Sequence, residues 1–252
     1  MSNAKTAIIT GAGHFPGIGS QIALDLLVQG HNVAIISRSI DAEWYQTLSK
    51  HSNLLLFTGD ITDDNTQKNF LKETINLFRR LDYLVHNASS GPADYDKNNL
   101  LTKTTWIDNF DINVITVYNF SNLCRTYLKE TKGAIVNISS RAALMNKVGN
   151  NLAYSVSKAA LLKLTQELAI ELGPEITVNS VSPAFVDTAR LRKVFGNRFE
   201  NLKAQRSTNS PTKQTVTVED VSQVVITALT TRAINGQNIS VCAGASLSIN
   251  NV

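Results

Sequence analysis

Short apolar runs alternate with amphipathic stretches along almost the whole chain, a pattern that predicts a parallel sheet with helices on both faces. Residues 7–10 read as the first strand, and Ile18, Ile22, Ala23, Leu26 and Leu27 then form a helical stripe that stops at Gly30. Further strands are predicted at 31–37, 54–57, 81–85, 134–138, 176–181 and 237–241. Between them lie helices from Asp63 or Asp64 to Phe78, from Trp106 to Leu128, around Tyr154 and Lys158 up to Gly173–Pro174, and from Glu219 to Leu229. Residues 90–103, with Gly91 and Pro92, read as loop. Residues 183–217 are polar, basic and weakly periodic; so long a segment in an α/β domain predicts a substrate-covering lid, the alternative being a surface excursion with short helices.

Composition narrows the class. A chain of 252 residues that is 43% apolar can bury one large core, and no linker or repeat divides it, so a single α/β domain is expected. The net charge of +4 is scattered, with no basic run longer than Arg79–Arg80, which fits a solvated surface rather than a nucleic-acid site. Cys124 and Cys242 match neither a disulfide framework nor a thiolate metal site, so a reducing cytoplasm is expected. His14, His31, His51 and His86 lack metal-ligand spacing, and no metal is expected. No apolar stretch suits a membrane span or an export signal.

Two stretches carry chemistry. Thr10–Gly19 (TGAGHFPGIG) lies between the first strand and first helix, where Gly11, Gly17, Ile18 and Gly19 would let a dinucleotide pyrophosphate approach the backbone at the helix N-terminus. An NAD enzyme offers an acid near the end of the second strand; here Ser37–Arg38 stands there, and a guanidinium suits the 2′-phosphate of NADP. Asp41 falls three residues too late and reads as the cap of the next helix. Further along, Tyr154 and Lys158 are spaced i, i+4 on a helix, so the ammonium would sit beside the phenol and make it more acidic. Such a pair equips an enzyme for proton transfer.

These pieces, in this order, resemble the short-chain dehydrogenase/reductase family from Thr10 to about Gly244. Also matching are Asp60–Ile61, Asn87–Ala88–Ser89, Asn113, Ile138–Ser139–Ser140, the stretch from Pro183 to Thr188, Gly236–Gln237 and Ala243–Gly244. The resemblance implies that Tyr154 is the general acid in reduction and base in oxidation, and that Lys158 depresses its pKa and holds the nicotinamide ribose. It implies that Ser140, or else Ser139, hydrogen-bonds the substrate oxygen, and that Asn113 bends its helix around a proton-relaying water. Asp60 with Ile61 would meet the adenine, Asn87 would line the cofactor trough or tie strands together, and Val186 with Thr188 would fix the carboxamide. An NADP(H)-dependent enzyme on a Rossmann-type sheet, acting on a small carbonyl or alcohol, follows, most plausibly a ketoreductase for 3-oxoacyl thioesters, assembled as a homotetramer or homodimer. Rival readings are a catalytically idle NADP-binding regulator or scaffold, and an enoyl or pterin reductase.

The departures from the family pattern are local. Five residues, Ala12 to Pro16, separate Thr10–Gly11 from Gly17–Ile18–Gly19, more than in ordinary members and as in the enoyl-reductase branch. That branch, however, sets its Tyr and Lys farther apart than the three intervening residues here. A second register, with Gly13, Gly17 and Gly19 as the three glycines, restores the usual spacing. Ala184 and Ala243 replace glycines usual in the family.

Overall fold

The computed structural model describes residues 4–89, 98, 100–145 and 152–247. Its strands are β1 (Thr6–Thr10), β2 (Asn32–Ser37), β3 (Leu54–Thr58), β4 (Tyr83–His86), β5 (Ala134–Ile138), β6 (Thr177–Pro183) and β7 (Asn238–Val241). They form one sheet in the order β3-β2-β1-β4-β5-β6-β7, and every neighbouring pair is parallel. The helices are α1 (Ile18–Val28), α2 (Ala42–Leu48), α3 (Asp64–Phe78), α4 (Lys103–Phe110), α5 (Thr116–Glu130), α6 (Leu152–Glu171), α7 (Ala189–Phe195), α8 (Phe199–Asn209) and α9 (Val218–Thr230).

Successive strand residues feed opposite faces, and both faces are covered. Ala7, Ile9, Val33 and Ile35 join Ile22, Leu26, Trp44, Val221 and Val225 from α1, α2 and α9 in one core. Ile8, Ala34 and Ile36 join Phe70, Phe120, Leu128 and Leu168 from α3, α5 and α6 in the other. A sheet buried on both sides needs apolar side chains at every position, which is why these strands read as continuous apolar runs instead of alternating ones. The strand order reverses between β1 and β4, so a crevice opens beyond their carboxyl ends, where ligands of doubly wound sheets bind.

Most predicted boundaries shift by one to three residues. Asp63, not Asp64, caps α3, its carboxylate accepting from Thr66 N at 2.7 Å. β4 begins two residues late because the Asp82 carboxylate accepts from Thr6 N at 2.8 Å, so this residue serves as a side-chain brace. The expected single helix from Trp106 to Leu128 is interrupted: a π turn, Asp111–Ile115, separates α4 from α5. Lys103, placed in a loop by the sequence, already belongs to α4, whose N-terminus Thr102 caps by accepting from Thr105 N at 3.2 Å. Of that expected loop, residues 90–97 and 99 lie outside the described residues.

Candidate active site

Four elements converge on Tyr154. β5 ends at Ile138, and the chain then turns through Ser139 and Ser140, whose hydroxyl accepts from Ala142 N at 3.1 Å. Of the two serines, Ser139 is spent inside the scaffold, donating to the Lys158 carbonyl at 3.1 Å. Ser140 instead faces the phenol of Tyr154 and bonds it. Lys158 is buried one helical turn on, its Nζ donating to the Ile138 carbonyl at 2.8 Å and lying 5.7 Å from the Tyr154 ring centre. Asn113 sits in the π turn and is buried; its Nδ2 donates to Ser157 Oγ at 3.0 Å, and Ser157 donates in turn to the Tyr154 carbonyl at 2.9 Å. Among the described residues the buried Oδ1 of Asn113 has no hydrogen-bond partner. Ser157 was legible only as part of the Tyr-Ser-Val-Ser-Lys run; its role depends on the helix phase.

The electrostatics correct one expectation. Burial pushes the Tyr154 phenol above its ordinary pKa, opposed by the hydrogen bond from Ser140, the positive charge of Arg190 and the hydroxyl of Ser89. Lys158 is not what acidifies the phenol here, because burial first, and then Arg190, bring its own pKa down to about 7. The physical cause is the dry pocket: both charged forms lose solvation, so the lysine tends to neutrality while the tyrosine keeps its proton. His86, buried at the end of β4 with Nε2 2.9 Å from Ser121 Oγ, is likewise lowered, to about 3, by burial and then Lys158. It serves as a neutral packing residue.

The candidate nucleotide end is built from the turn after β1. Gly11 has φ +72°, and a Cβ there would come within 2.6 Å of the Ala88 Cα, so only glycine fits between β1 and β4. That places Gly11 at the turn out of the strand, with Gly17 and Gly19 at the start of α1, while Gly13 is equally close-packed against Ser37 and Ser39. α1 has no side-chain cap and no acidic residue in its first turn, so its N-terminal amides remain open to an anion. Asn87 spends its Nδ2 on the carbonyls of Thr10 and Gly11, at 3.0 and 2.9 Å, and is a brace between β1 and β4. Ile18 and Ile61 turn their side chains into the two cores. One Asp60 oxygen accepts from Thr62 N and Oγ1 at 3.0 and 2.9 Å, with the residue exposed beyond β3. Ser37 ends β2, and Arg38 is exposed just beyond it. Asp41 stands at the N-terminus of α2 yet makes no side-chain cap, contrary to expectation; its carboxylate instead bonds His14 Nδ1 at 2.7 Å.

The excursion after β6 is closed at its base by a bridge between buried Val186 and Val216. Thr188 caps α7, accepting from Leu191 N at 3.3 Å. Asp187 is a double clamp: Arg192 binds both carboxylate oxygens at 2.7 Å, and Lys203 of α8 binds one of them at 2.7 Å. The basic residues of this excursion therefore divide by role. Arg192 and Lys203 hold the excursion's own helices together, and Arg190 approaches Tyr154 and Lys158. Among the described residues no group of side chains forms a metal site.

Residues 11–246 match a family model described as enoyl-(acyl carrier protein) reductase. A 3-oxoacyl-[acyl-carrier-protein] reductase, FabG, of Staphylococcus aureus is 30% identical over 257 residues, covering 97% of this chain and 99% of the relative. An 11-beta-hydroxysteroid dehydrogenase-like protein of Arabidopsis thaliana is 29% identical over 214 residues, covering 77% of this chain and 65% of that one. Among solved structures, an apo SCOR enzyme from Clostridium thermocellum superposes with a TM-score of 0.83 at 29% identity, covering 98% of this chain and 94% of that one. ElxO, solved with NADP bound, superposes at 0.85 with 26% identity, covering 97% and 100%. With the parallel sheet, the glycine turn and the Ser140–Tyr154–Lys158 cluster in place, this chain belongs to the short-chain dehydrogenase/reductase family, as an NAD(P)-dependent oxidoreductase acting on CH–OH and C=O groups.

Proposed function

We propose that the chain is an NADPH-dependent ketoreductase, reducing the carbonyl of a 3-oxoacyl thioester or a similar small ketone to a secondary alcohol. The observation that carries this reading is the buried Tyr154 phenol, hydrogen-bonded to Ser140 at the carboxyl end of the sheet with Lys158 one helical turn on. Ser140 and Tyr154 grip the carbonyl oxygen, polarising it and fixing its face. When bound, a reduced nicotinamide supplies the hydride that reaches the carbonyl carbon. Tyr154 gives its proton to the oxygen, which completes the alcohol, and Lys158 with the Asn113–Ser157 pair stands behind it for reprotonation. The open amides of α1, the turn at Gly11, Arg38 beyond β2 and the exposed carboxylate of Asp60 suit the pyrophosphate, 2′-phosphate and adenine of NADP(H). Val186 and Thr188 stand at the entrance to the excursion, where the nicotinamide carboxamide would be held, and residues 183–217 act as the substrate lid.

An enoyl-reductase reading has two points in its favour, the lengthened glycine loop and the description of the matching family model. Against it stands the close spacing of Tyr154 and Lys158, with three residues between them. The test offers NADPH with acetoacetyl-pantetheine and with crotonyl-pantetheine in parallel. Oxidation of NADPH by the 3-oxo thioester alone supports the ketoreductase, and turnover of the enoyl thioester alone overturns it.

The working form is a homodimer or homotetramer, and the cytoplasm is its compartment. Supporting assembly, Ile107, Ile115, Tyr118, Leu152 and Val156 on α4, the π turn, α5 and α6 leave large apolar side chains exposed. A monomeric mass by light scattering at micromolar concentration would refute it. Both cysteines are free, which suits a reducing compartment, and no helix among the described residues is long and apolar enough to cross a membrane.

A further inference from the structure

The stretch that lengthens the glycine loop is anchored at every residue. Ala12 O accepts from Trp44 Nε1 at 2.9 Å, and Gly13 O accepts from Asp41 N at 2.9 Å. The Phe15 ring stacks on Trp44 with centres 5.1 Å apart, and Pro16 O accepts from Ala189 N at 2.8 Å. A Cβ at Gly13 would overlap the Ser39 carbonyl and the Ser37 side chain. The loop is therefore pressed onto the turn between β2 and α2, the segment that meets the adenosine ribose in doubly wound folds.

His14 occupies the centre of this contact. Its Nδ1 lies 2.7 Å from Asp41 Oδ1 and its Nε2 lies 3.2 Å from Ser39 Oγ. A carboxylate only accepts, so the Nδ1 must carry a proton and donate to Asp41, while the Ser39 hydroxyl donates to Nε2 in the neutral ring. Asp41 is the one acid in the turn from Ser37 to Asp41. Freed from His14, its carboxylate could do two things to a dinucleotide: accept the ribose hydroxyls of NADH, or repel the 2′-phosphate of NADPH.

Resting on the proposed reading of this end as the nucleotide site, we propose that His14 sets nucleotide preference by holding the Asp41 carboxylate out of the ribose site. Arg38 then meets the 2′-phosphate without a competing acid. The loop's extra length is what carries His14 far enough to reach Asp41, so the departure from ordinary family spacing has a function in specificity. His14 and Asp41 are each about half exposed, with side-chain exposures of 52% and 46%, so removing either leaves the fold intact.

The experiment is calorimetric titration of NADPH and NADH into the full chain and three variants, independent of turnover. His14→Ala is expected to raise the Kd for NADPH about tenfold relative to that for NADH, the size of one largely solvent-screened charge close to a phosphate. Asp41→Asn should leave NADPH binding as tight as in the parent, and adding it to His14→Ala should restore the parent ratio within about twofold. A ratio unchanged in His14→Ala overturns the inference. So does a double variant that stays as weak as the single one, because His14 would then be touching the phosphate itself. Should the parent bind neither dinucleotide, the proposed function falls and takes this inference with it; a parent that prefers NADPH while the variants behave alike sinks the inference alone.

Discussion

The two ends of the crevice are built on opposite electrostatic plans. At the proposed catalytic end, Lys158 and Asn113 are almost wholly buried, the one bonded to the Ile138 carbonyl and the other to the Ser157 hydroxyl, in a low dielectric that resets charge. At the nucleotide end, Arg38, His14 and Asp41 are open to solvent, where charges are screened and recognition depends on which sign faces the ligand. The contrast suggests a division of labour. Substitutions at the dry end should change rates and protonation states, and those at the wet end should change which cofactor binds.

The largest effect is expected from Tyr154→Phe. Loss of the proton donor should lower kcat by about a thousandfold, within the range for a positioned general acid, while the Kd for NADPH stays within about threefold. A variant that retains turnover would erase the distinction between the two ends. Next comes the pH dependence of stability without cofactor. Lys158 has a folded pKa of about 7, below its unfolded value of 10.5, so the unfolded state binds the extra proton between those values. Stability should therefore rise as pH increases from about 7 towards 9, by an amount on the order of a few kcal/mol, before ionisation of Cys124 and the tyrosines in the unfolded state opposes it. Urea titrations at several pH values should show this rise, and Lys158→Met should flatten it.

At the wet end, Arg38→Ala should weaken NADPH binding by about tenfold and leave NADH almost unchanged, as expected for one charge-assisted bond to phosphate. Equal weakening of both cofactors would mean that Arg38 does not read the 2′-phosphate. Smallest should be Asp187→Asn, which removes the clamp between α7 and α8 without touching the reacting groups. KM should rise by about threefold with kcat within twofold, since a partly exposed ion-pair cluster contributes roughly 1 kcal/mol. A fall in kcat matching that of Tyr154→Phe would show that the excursion acts on chemistry and not only on access.

Much of this was legible from residue order. The apolar runs at β1, β2 and β5 follow from a sheet buried on both faces, and the Gly11, Tyr154 and Lys158 positions followed from a turn and a helical spacing. Less legible were features produced by long-range contacts. The π turn around Asn113 leaves no mark in the apolar period, and the excursion's basic residues gave no sign that Asp187 would bind two of them. His14 was visible only as a histidine in a glycine-rich stretch, because its partner lies 27 residues away.

By itself, the sequence determined the layers of the fold, the glycine-bearing strand-to-helix turn and the tyrosine–lysine pair, since periodicity and local backbone limits act within a few residues. Only the tertiary structure decided which serine faces the phenol, how far burial moves Tyr154 and Lys158, and where Asp41 spends its charge. Desolvation and through-space charge depend on what the whole chain packs around a group, and that is fixed only when distant segments meet.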